Sequence, residues 1–147
     1  MNWNNSTKHV CVDTETTGVD KTDLPYAVSL CDDDGNNLWY QWDVDPFTRI
    51  PKVKRSDIRD IKKRCKGKIL VFHNQNFDTE MLARVDCELD WRGKSHDVMN
   101  YSHAIDSAAH VELQGRLKEL SLVHLDFEDD DQFELREATI KSRAFRS

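Results

Sequence analysis

The sequence has no long apolar run. No stretch of its 147 residues approaches the ~18 consecutive apolar residues of a membrane-spanning helix, and the first ten, MNWNNSTKHV, contain no apolar segment of the signal-peptide type. Glycine and proline are also scarce, at five and three residues, and we find no linker, internal repeat or low-complexity tract. We therefore expect a single soluble domain, residues 1–147, in the cytoplasm.

The cysteines lack the spacing of a metal site. Cys11, Cys31, Cys65 and Cys87 form no CxxC pair, and each lies in or beside an apolar run. This pattern favours reduced core or near-core thiols over a metal-binding or disulfide role.

Positive charge is in deficit as well. The formal net charge is −6, which argues against a protein that coats nucleic acid non-specifically through a basic surface. It does not exclude a nuclease. A metal-dependent site is itself acidic, and its cations supply the positive charge that phosphate needs.

What is present is enough apolar material for a core, with 38% hydrophobic residues that include four Trp and six Phe. Segments 8–13, 26–31 and 38–44 predict three strands, and the DDDG sequence at 32–35 predicts a turn that pairs the last two as an antiparallel hairpin. Segment 68–72, KILVF, predicts a short buried strand of the parallel type.

Helical periodicity follows the hairpin. Segment 56–65 predicts a helix with Ser56 as its N-cap, Gly67 closing its end, and one apolar face of Ile58, Ile61 and Cys65. Further helices are predicted over 76–85 (with Phe77, Met81, Leu82 and Val85 facing in), 97–106, 116–125 and 132–145. The order β-β-β-α-β-α, then helices, predicts an α/β fold in which helices flank a mixed sheet.

The first motif that carries chemistry is VCVDTETTG, at residues 10–18. Alternation along a strand places Asp13 and Glu15 on the same face, where their charges repel unless cations lie between them. Magnesium accepts carboxylates in this way and keeps phosphate as another ligand. Taken alone, the pattern also fits an exposed strand end with two solvated acids.

The second motif is VFHNQNFDTEML, at residues 71–82, where an apolar strand ends in His73-Asn74 and a helix begins at Phe77-Asp78. Asp78 is thus predicted in a first helical turn at the carboxyl edge of the sheet, where ligands bind in α/β folds. Alone, Asp78 also fits an acid favoured by the helix dipole, and His73 fits a hydrogen-bonded structural histidine.

Together, VDTETTG and HNQNFD resemble the first two motifs of the proofreading 3′–5′ exonuclease domain of family A (polymerase I type) DNA polymerases, and especially of its phage relatives. These domains belong to the DEDD superfamily, which has an RNase H-like fold. The resemblance continues through SHDVM at 95–99 and LKELSLVHLD at 117–126, and covers residues from about 8 to 143.

This resemblance implies two-metal-ion hydrolysis of the last phosphodiester at a single-stranded DNA 3′ end, with release of nucleoside monophosphates. Two Mg²⁺ or Mn²⁺ ions would be held by Asp13, Glu15 and Asp78, with Asp13 bridging both. The chain would serve DNA replication beside a separate DNA polymerase polypeptide, in the host cytoplasm if a phage encodes it.

The resemblance also implies contacts with the substrate. Asn74 would contact the terminal nucleotide, and Phe77 would pack near its base or sugar. Thr14, Thr16 and Gly18 would shape the pocket for the 3′ end.

The family's third motif, Tyr-x-x-x-Asp or His-x-x-x-x-Asp, is not found. Tyr101 is followed four residues later by Ile105, and the pair His124 and Asp129 has the right spacing but lies where the family has a loop. The chain is therefore expected to be truncated before this motif, lacking one carboxylate and the group that orients the attacking water.

Three interpretations remain open at this stage. The first is an exonuclease domain that is incomplete alone, and the second is a non-catalytic remnant that binds nucleic acid or a polymerase. The third is an unrelated metal-dependent phosphoesterase, against which the extent of the resemblance argues.

Overall fold

The computed structural model describes Trp3, residues 6–91 and 94–108, and Leu120. The chain divides into two compact units, Met1–Tyr101 and Ser102–Ser147. The helices predicted over 116–125 and 132–145, and the pair His124 and Asp129, lie outside the described residues apart from Leu120. The single domain over 1–147 therefore stays a prediction.

The described residues form five strands and three helices, all beginning in the first unit. In chain order they are β1 (His9–Thr16), β2 (Pro25–Asp32), β3 (Asn37–Gln41), α1 (Arg55–Cys65), β4 (Ile69–Phe72), α2 (Gln75–Ala83), β5 (Ser95–Asp97) and α3 (Val98–Ile105). Within this part of the chain, no helix has the length and apolar character needed to cross a membrane. The prediction missed β5, because its sequence, Ser-His-Asp, contains none of the residues that favour strands.

One sheet joins the five strands in the order β3-β2-β1-β4-β5. β1, β2 and β3 are antiparallel neighbours, whereas β4 runs parallel to both β1 and β5. This confirms the predicted α/β architecture, with a mixed sheet, an antiparallel hairpin and flanking helices. Since β1, β4 and β5 point the same way, their carboxyl ends meet at one edge of the sheet.

The two faces of the sheet differ sharply along β1. Val10, Val12 and Thr14 are buried, whereas Cys11, Asp13 and Glu15 alternate with them on an exposed face. The buried face packs with the apolar side of α1 and with α2, and it contributes to one core cluster that includes Ile58, Ile61, Cys65 and Leu82. The predicted apolar face of α1 is therefore confirmed.

The cysteines and the start of α1 correct two expectations. All four thiols are free, but Cys11 is exposed rather than near the core, because it alternates with Val10 and Val12. Ser56 is not the N-cap of α1; Lys54 is, and no side chain caps that end. The Ser56 hydroxyl instead donates to the carboxylate of Asp57, at 3.1 Å. Gly67 closes the helix as predicted, with a φ of 74°.

Candidate active site

The candidate site lies where β1 extends beyond the end of its neighbour β4. β4 pairs with β1 only from His9 to Cys11, while β1 continues to Thr16 along β2. The backbone N–H and C=O groups of even-numbered β2 residues point toward β3, as when the Trp42 N–H donates to the Tyr26 carbonyl. Those of odd-numbered β2 residues therefore point toward β1, where Ser29 is opposite Asp13. Because these directions alternate along β1 as well, the N–H of Thr14 points to the β4 side of the strand. It lies beyond Cys11, the last β1 residue that pairs with β4, so β4 offers it no acceptor.

Asp78 occupies the space beyond β4. Its Oδ1 accepts hydrogen bonds from the Thr14 N–H at 3.1 Å and from the Thr14 hydroxyl at 2.7 Å. Its side chain lies in the first turn of α2 and is only 2% exposed. The structure thus brings Asp78 to the strand that carries Asp13 and Glu15, at the predicted edge of the sheet.

The inward face of α2 differs from the prediction. α2 ends at Ala83, so Val85 follows the helix and packs partly buried against the core. Phe77 is only half-buried, whereas Asp78 takes the buried position beside it. Helical periodicity favoured the apolar residue for the inward position. The carboxylate lies there instead because the N–H of Thr14 would otherwise lack an acceptor.

The electrostatics of the site penalise its negative charge. Burial raises the pKa of Asp78 to about 6, and the nearby charges of Asp13 and Asp97 add to the rise, although both bonds from Thr14 oppose it. Although Asp13 is exposed as a residue, neighbouring atoms partly desolvate its carboxylate and raise its pKa, opposed by the Thr14 N–H and by the charge of His73. A bound cation would favour the ionised form of both carboxyl groups.

The oxygen ligands that the three carboxylates offer suit a hard metal ion chemically. Their present positions suit one less well. Carboxylate oxygens are the ligands that Mg²⁺ and Mn²⁺ prefer, and Asp13 and Glu15 are exposed, so their side chains can turn toward an ion. However, within the described part of the chain, no three His, Cys, Asp or Glu side chains are already grouped to hold one metal. The hydrogen bonds described for Asp78 are all accepted by Oδ1, so Oδ2 is the oxygen that would bind an ion.

Asp97 is a structural residue of the site that the sequence reasoning missed. Its carboxylate accepts the N–H groups of Asn74 at 3.1 Å and Gln75 at 3.0 Å, at the start of α2, and of Met99 at 3.0 Å, at the start of α3. Aspartate immediately before a predicted helix is a recognisable N-cap signal. That signal could have indicated the cap of α3, but not the bonds to α2.

Asn74 and Phe77 lie at this same edge of the sheet. Asn74 is exposed at the N-cap position of α2, with a φ of 68° in the left-handed region, which asparagine tolerates better than most residues. Phe77 follows in the first turn, half-buried. Their contacts with a nucleotide stay a prediction.

The residues expected to shape the pocket have clear local roles. Thr14 is buried and holds Asp78, and the Thr16 hydroxyl donates to the Gly18 carbonyl at 2.7 Å. Gly18 makes room for Asp23, because a Cβ built on it would lie 2.4 Å from Asp23 Oδ2. That carboxylate is fixed by the Thr17 hydroxyl at 2.9 Å and by the Asp20 N–H at 2.8 Å.

We expect Gly18→Ala to destabilise the protein by about 1 kcal/mol or less, the usual net contribution of a hydrogen bond, because the added methyl group meets the movable end of the Asp23 side chain. The added methyl group would displace the Asp23 carboxylate from its partners. Chemical denaturation would measure the change. In an Asp23→Ala background the same substitution should have little effect, and an equal loss in both backgrounds would contradict this account.

Three carboxylates on two elements, a threonine that binds one of them, and a shared N-cap therefore define the candidate site. Comparison of the chain with models of known protein families and with curated proteins finds no match for it.

Proposed function

We propose that the chain is an RNase H-like 3′–5′ exonuclease domain of the DEDD type, acting on single-stranded DNA ends beside a separate DNA polymerase polypeptide. The observation that carries the proposal is the pair of bonds from Thr14 to Asp78 Oδ1. They bring a carboxylate from the second motif to the strand of the first, at the carboxyl edge of parallel strands. The five-stranded mixed sheet with flanking helices is compatible with this fold.

Asp13, Glu15 and Asp78 are the residues that would hold two Mg²⁺ or Mn²⁺ ions. Such ions neutralise phosphate charge and lower the pKa of water. Asp78 provides a fixed ligand because Thr14 and the start of α2 hold its side chain in place. Asp13 and Glu15 provide adjustable ligands on the exposed face of β1. Thr14, which binds Asp78, lies on the buried face of β1, whereas Asp13 and Glu15 lie on its exposed face. Sharing of ions would therefore require the three carboxylates to come together around the end of this strand.

The 3′-terminal nucleotide would meet the same edge. Asn74 and Phe77 flank Asp78 in sequence at the start of α2, and the turn at Thr16 to Gly18 follows Glu15. These positions suit residues that orient a terminal nucleotide beside the carboxylates. Orientation is essential because a misplacement of ~1 Å can lower the rate by ~10²-fold.

A second candidate function is a non-catalytic domain that binds a nucleic-acid end or a polymerase. One observation favours it: across the described residues, no group of three potential ligands is already placed to hold a metal. The third motif, which would supply the group that orients water, is also not found in the sequence. Loss of a positioned acid–base group typically slows a reaction by roughly 10²–10⁴-fold.

A cleavage assay separates the two functions. A 5′-labelled single-stranded oligonucleotide with Mg²⁺ or Mn²⁺ should be shortened slowly from its 3′ end by the parent protein. Asp13→Ala should abolish this shortening, whereas Asp90→Asn, which changes an exposed acid outside the two motifs, should not. Binding of the 3′ end without cleavage would support the non-catalytic function. Cleavage unaffected by Asp13→Ala would overturn the proposed site.

A further inference from the structure

The amino ends of the parallel strands carry a group of lysines. Lys8, Lys68 and Lys94 immediately precede β1, β4 and β5. Their backbones are neighbours, since the Lys8 carbonyl accepts the N–H of Ile69 at 3.0 Å and the Lys94 carbonyl accepts the N–H of Leu70 at 2.9 Å. Three lysines from three separate segments are thus backbone neighbours at the edge opposite the carboxylates, where the Lys68 ammonium donates to the Thr7 carbonyl at 2.6 Å.

Two cavities adjoin at this edge. The first, about 670 Å³, is lined by the three lysines and by the hydroxyl-bearing residues Ser6, Thr7 and Ser95. The second, about 470 Å³, shares Lys68 and is also lined by Trp3, Asp60, Lys63, Arg64 and Lys66. We call the five lysines that border these cavities the basic surface: Lys8, Lys63, Lys66, Lys68 and Lys94.

The net charge of −6 conceals this concentration of cations. Residues 52–68 contain nine of the chain's 21 Lys and Arg residues but only two acids, Asp57 and Asp60. Both acids are engaged by aromatic side chains of the sheet layer. Asp57 accepts from the Trp42 indole at 2.9 Å, and Asp60 accepts from the Tyr40 hydroxyl at 2.7 Å and from Arg64 at 2.8 Å. Lys63 and Lys66 are exposed, and Asp60 is the acid of α1 whose charge acts on Lys63.

Fold stability explains only part of this arrangement. Cations in the last turn of a helix are favoured by its dipole, which accounts for Lys62, Lys63 and Arg64. It does not account for Lys8 and Lys94, which belong to other segments. Asp33, which accepts the N–H groups of Lys8 and His9, and Asp60, which lines the second cavity, offset part of this positive charge. The five lysines still outnumber these two acids, and a polyanion would offset the remaining repulsion.

We propose that the basic surface binds the phosphate backbone of a nucleic-acid strand. Phosphates are spaced along a strand, and cations distributed over two adjoining cavities can contact several of them at once. Phosphate contacts of this kind position a strand without reading its sequence. The basic surface lies at the opposite edge of the sheet from Asp13 and Asp78. Binding of a nucleic-acid strand there would not require the strand to be cleaved.

The test is the binding of a fluorescent single-stranded oligonucleotide, measured by anisotropy in EDTA over a range of salt concentrations. EDTA keeps the carboxylate site out of the measurement, so this result and the cleavage assay can fail independently. The triple variant Lys63→Gln, Lys66→Gln, Lys94→Gln should bind on the order of 10²-fold more weakly at ~0.1 M salt. The slope of log K against log salt should fall by about 2, since each lost phosphate contact on a single strand contributes ~0.7.

A matched control is Lys21→Gln, Lys52→Gln, Lys54→Gln, which removes the same charge from exposed lysines outside the two cavities. It should keep most of the affinity and the parental slope. Equal weakening by both variants, or no weakening by the first, would overturn the proposal. Competition by poly-glutamate as effective as competition by unlabelled oligonucleotide would also overturn it, because it would indicate an acidic protein as the partner.

Discussion

Asp78→Asn is expected to stabilise the protein by about 1–3 kcal/mol at pH 8 and to leave its stability almost unchanged at pH 4. Asparagine has nearly the same shape, and its carbonyl oxygen can still accept both bonds from Thr14. What it removes is a buried negative charge. A pKa raised from 3.8 to about 6 corresponds to about 3 kcal/mol at ~1.4 kcal/mol for each pH unit.

The pH dependence gives the sign of this effect. Between pH 3.8 and about 6 the folded state binds the Asp78 proton more tightly than the unfolded chain does. The free energy of unfolding of the parent therefore falls as the pH rises through that window, and the full loss remains above it. The asparagine variant carries no such proton, so its stability should lack this particular decline.

Urea denaturation at pH 4, 5, 6 and 8 would measure the difference between the two proteins. Asp90→Asn, at an exposed position, controls for the change in net charge. Mg²⁺ should narrow the gap at pH 8 by stabilising the parent, since a ligand that binds only the folded state raises its stability. Parallel pH profiles for parent and Asp78→Asn would contradict the account of a buried, ionised Asp78.

The second large effect should come from Asp97→Ala, which we expect to lower the free energy of unfolding by about 2–3 kcal/mol. Loss of an N-cap typically removes ~1 kcal/mol, and this carboxylate caps both α2 and α3. The N–H groups of Asn74, Gln75 and Met99 would all lose their side-chain acceptor. The start of α2, and with it Asp78, would then be less firmly placed.

Denaturation and amide hydrogen exchange would test this together. Exchange of the Asn74, Gln75 and Met99 amides should accelerate in Asp97→Ala more than exchange in β2. Asp97→Asn is the matched variant, because its one remaining carbonyl oxygen can keep part of the network, so its loss should be smaller. A loss no greater than that of Asp90→Ala would show that Asp97 is not a structural cap.

The part of the site that sequence could predict is the part fixed by local pattern. A strand carries Asp13 and Glu15 on one face, and a strand followed by a helix places Asp78 at the carboxyl edge. The tie between Asp78 and Thr14 was not predictable, because it joins residues 64 positions apart. It also depends on β4 ending where β1 continues, which no local pattern of either segment records.

Other features escaped prediction for similar reasons. β5 is three polar residues at the edge of the sheet, recognisable only from its partner β4. The predicted N-cap of α1 failed because the helix begins at Arg55, which places Ser56 inside the first turn rather than before it. The basic surface was hidden because Lys8, Lys68 and Lys94 are far apart in sequence and the total charge is negative.

The position of β1 in the sheet has a consequence for the order of folding. On one side β1 pairs with β2, close in sequence, whereas on the other it pairs with β4, where His9 meets Ile69. Long-range pairing of this kind slows folding, because a large loop must be ordered before its contacts form. The antiparallel strands can therefore associate before the parallel half closes. Asp78 reaches Thr14 only when that closure is complete. An ion shared by Asp13 and Asp78 would then act late, slowing unfolding rather than speeding folding.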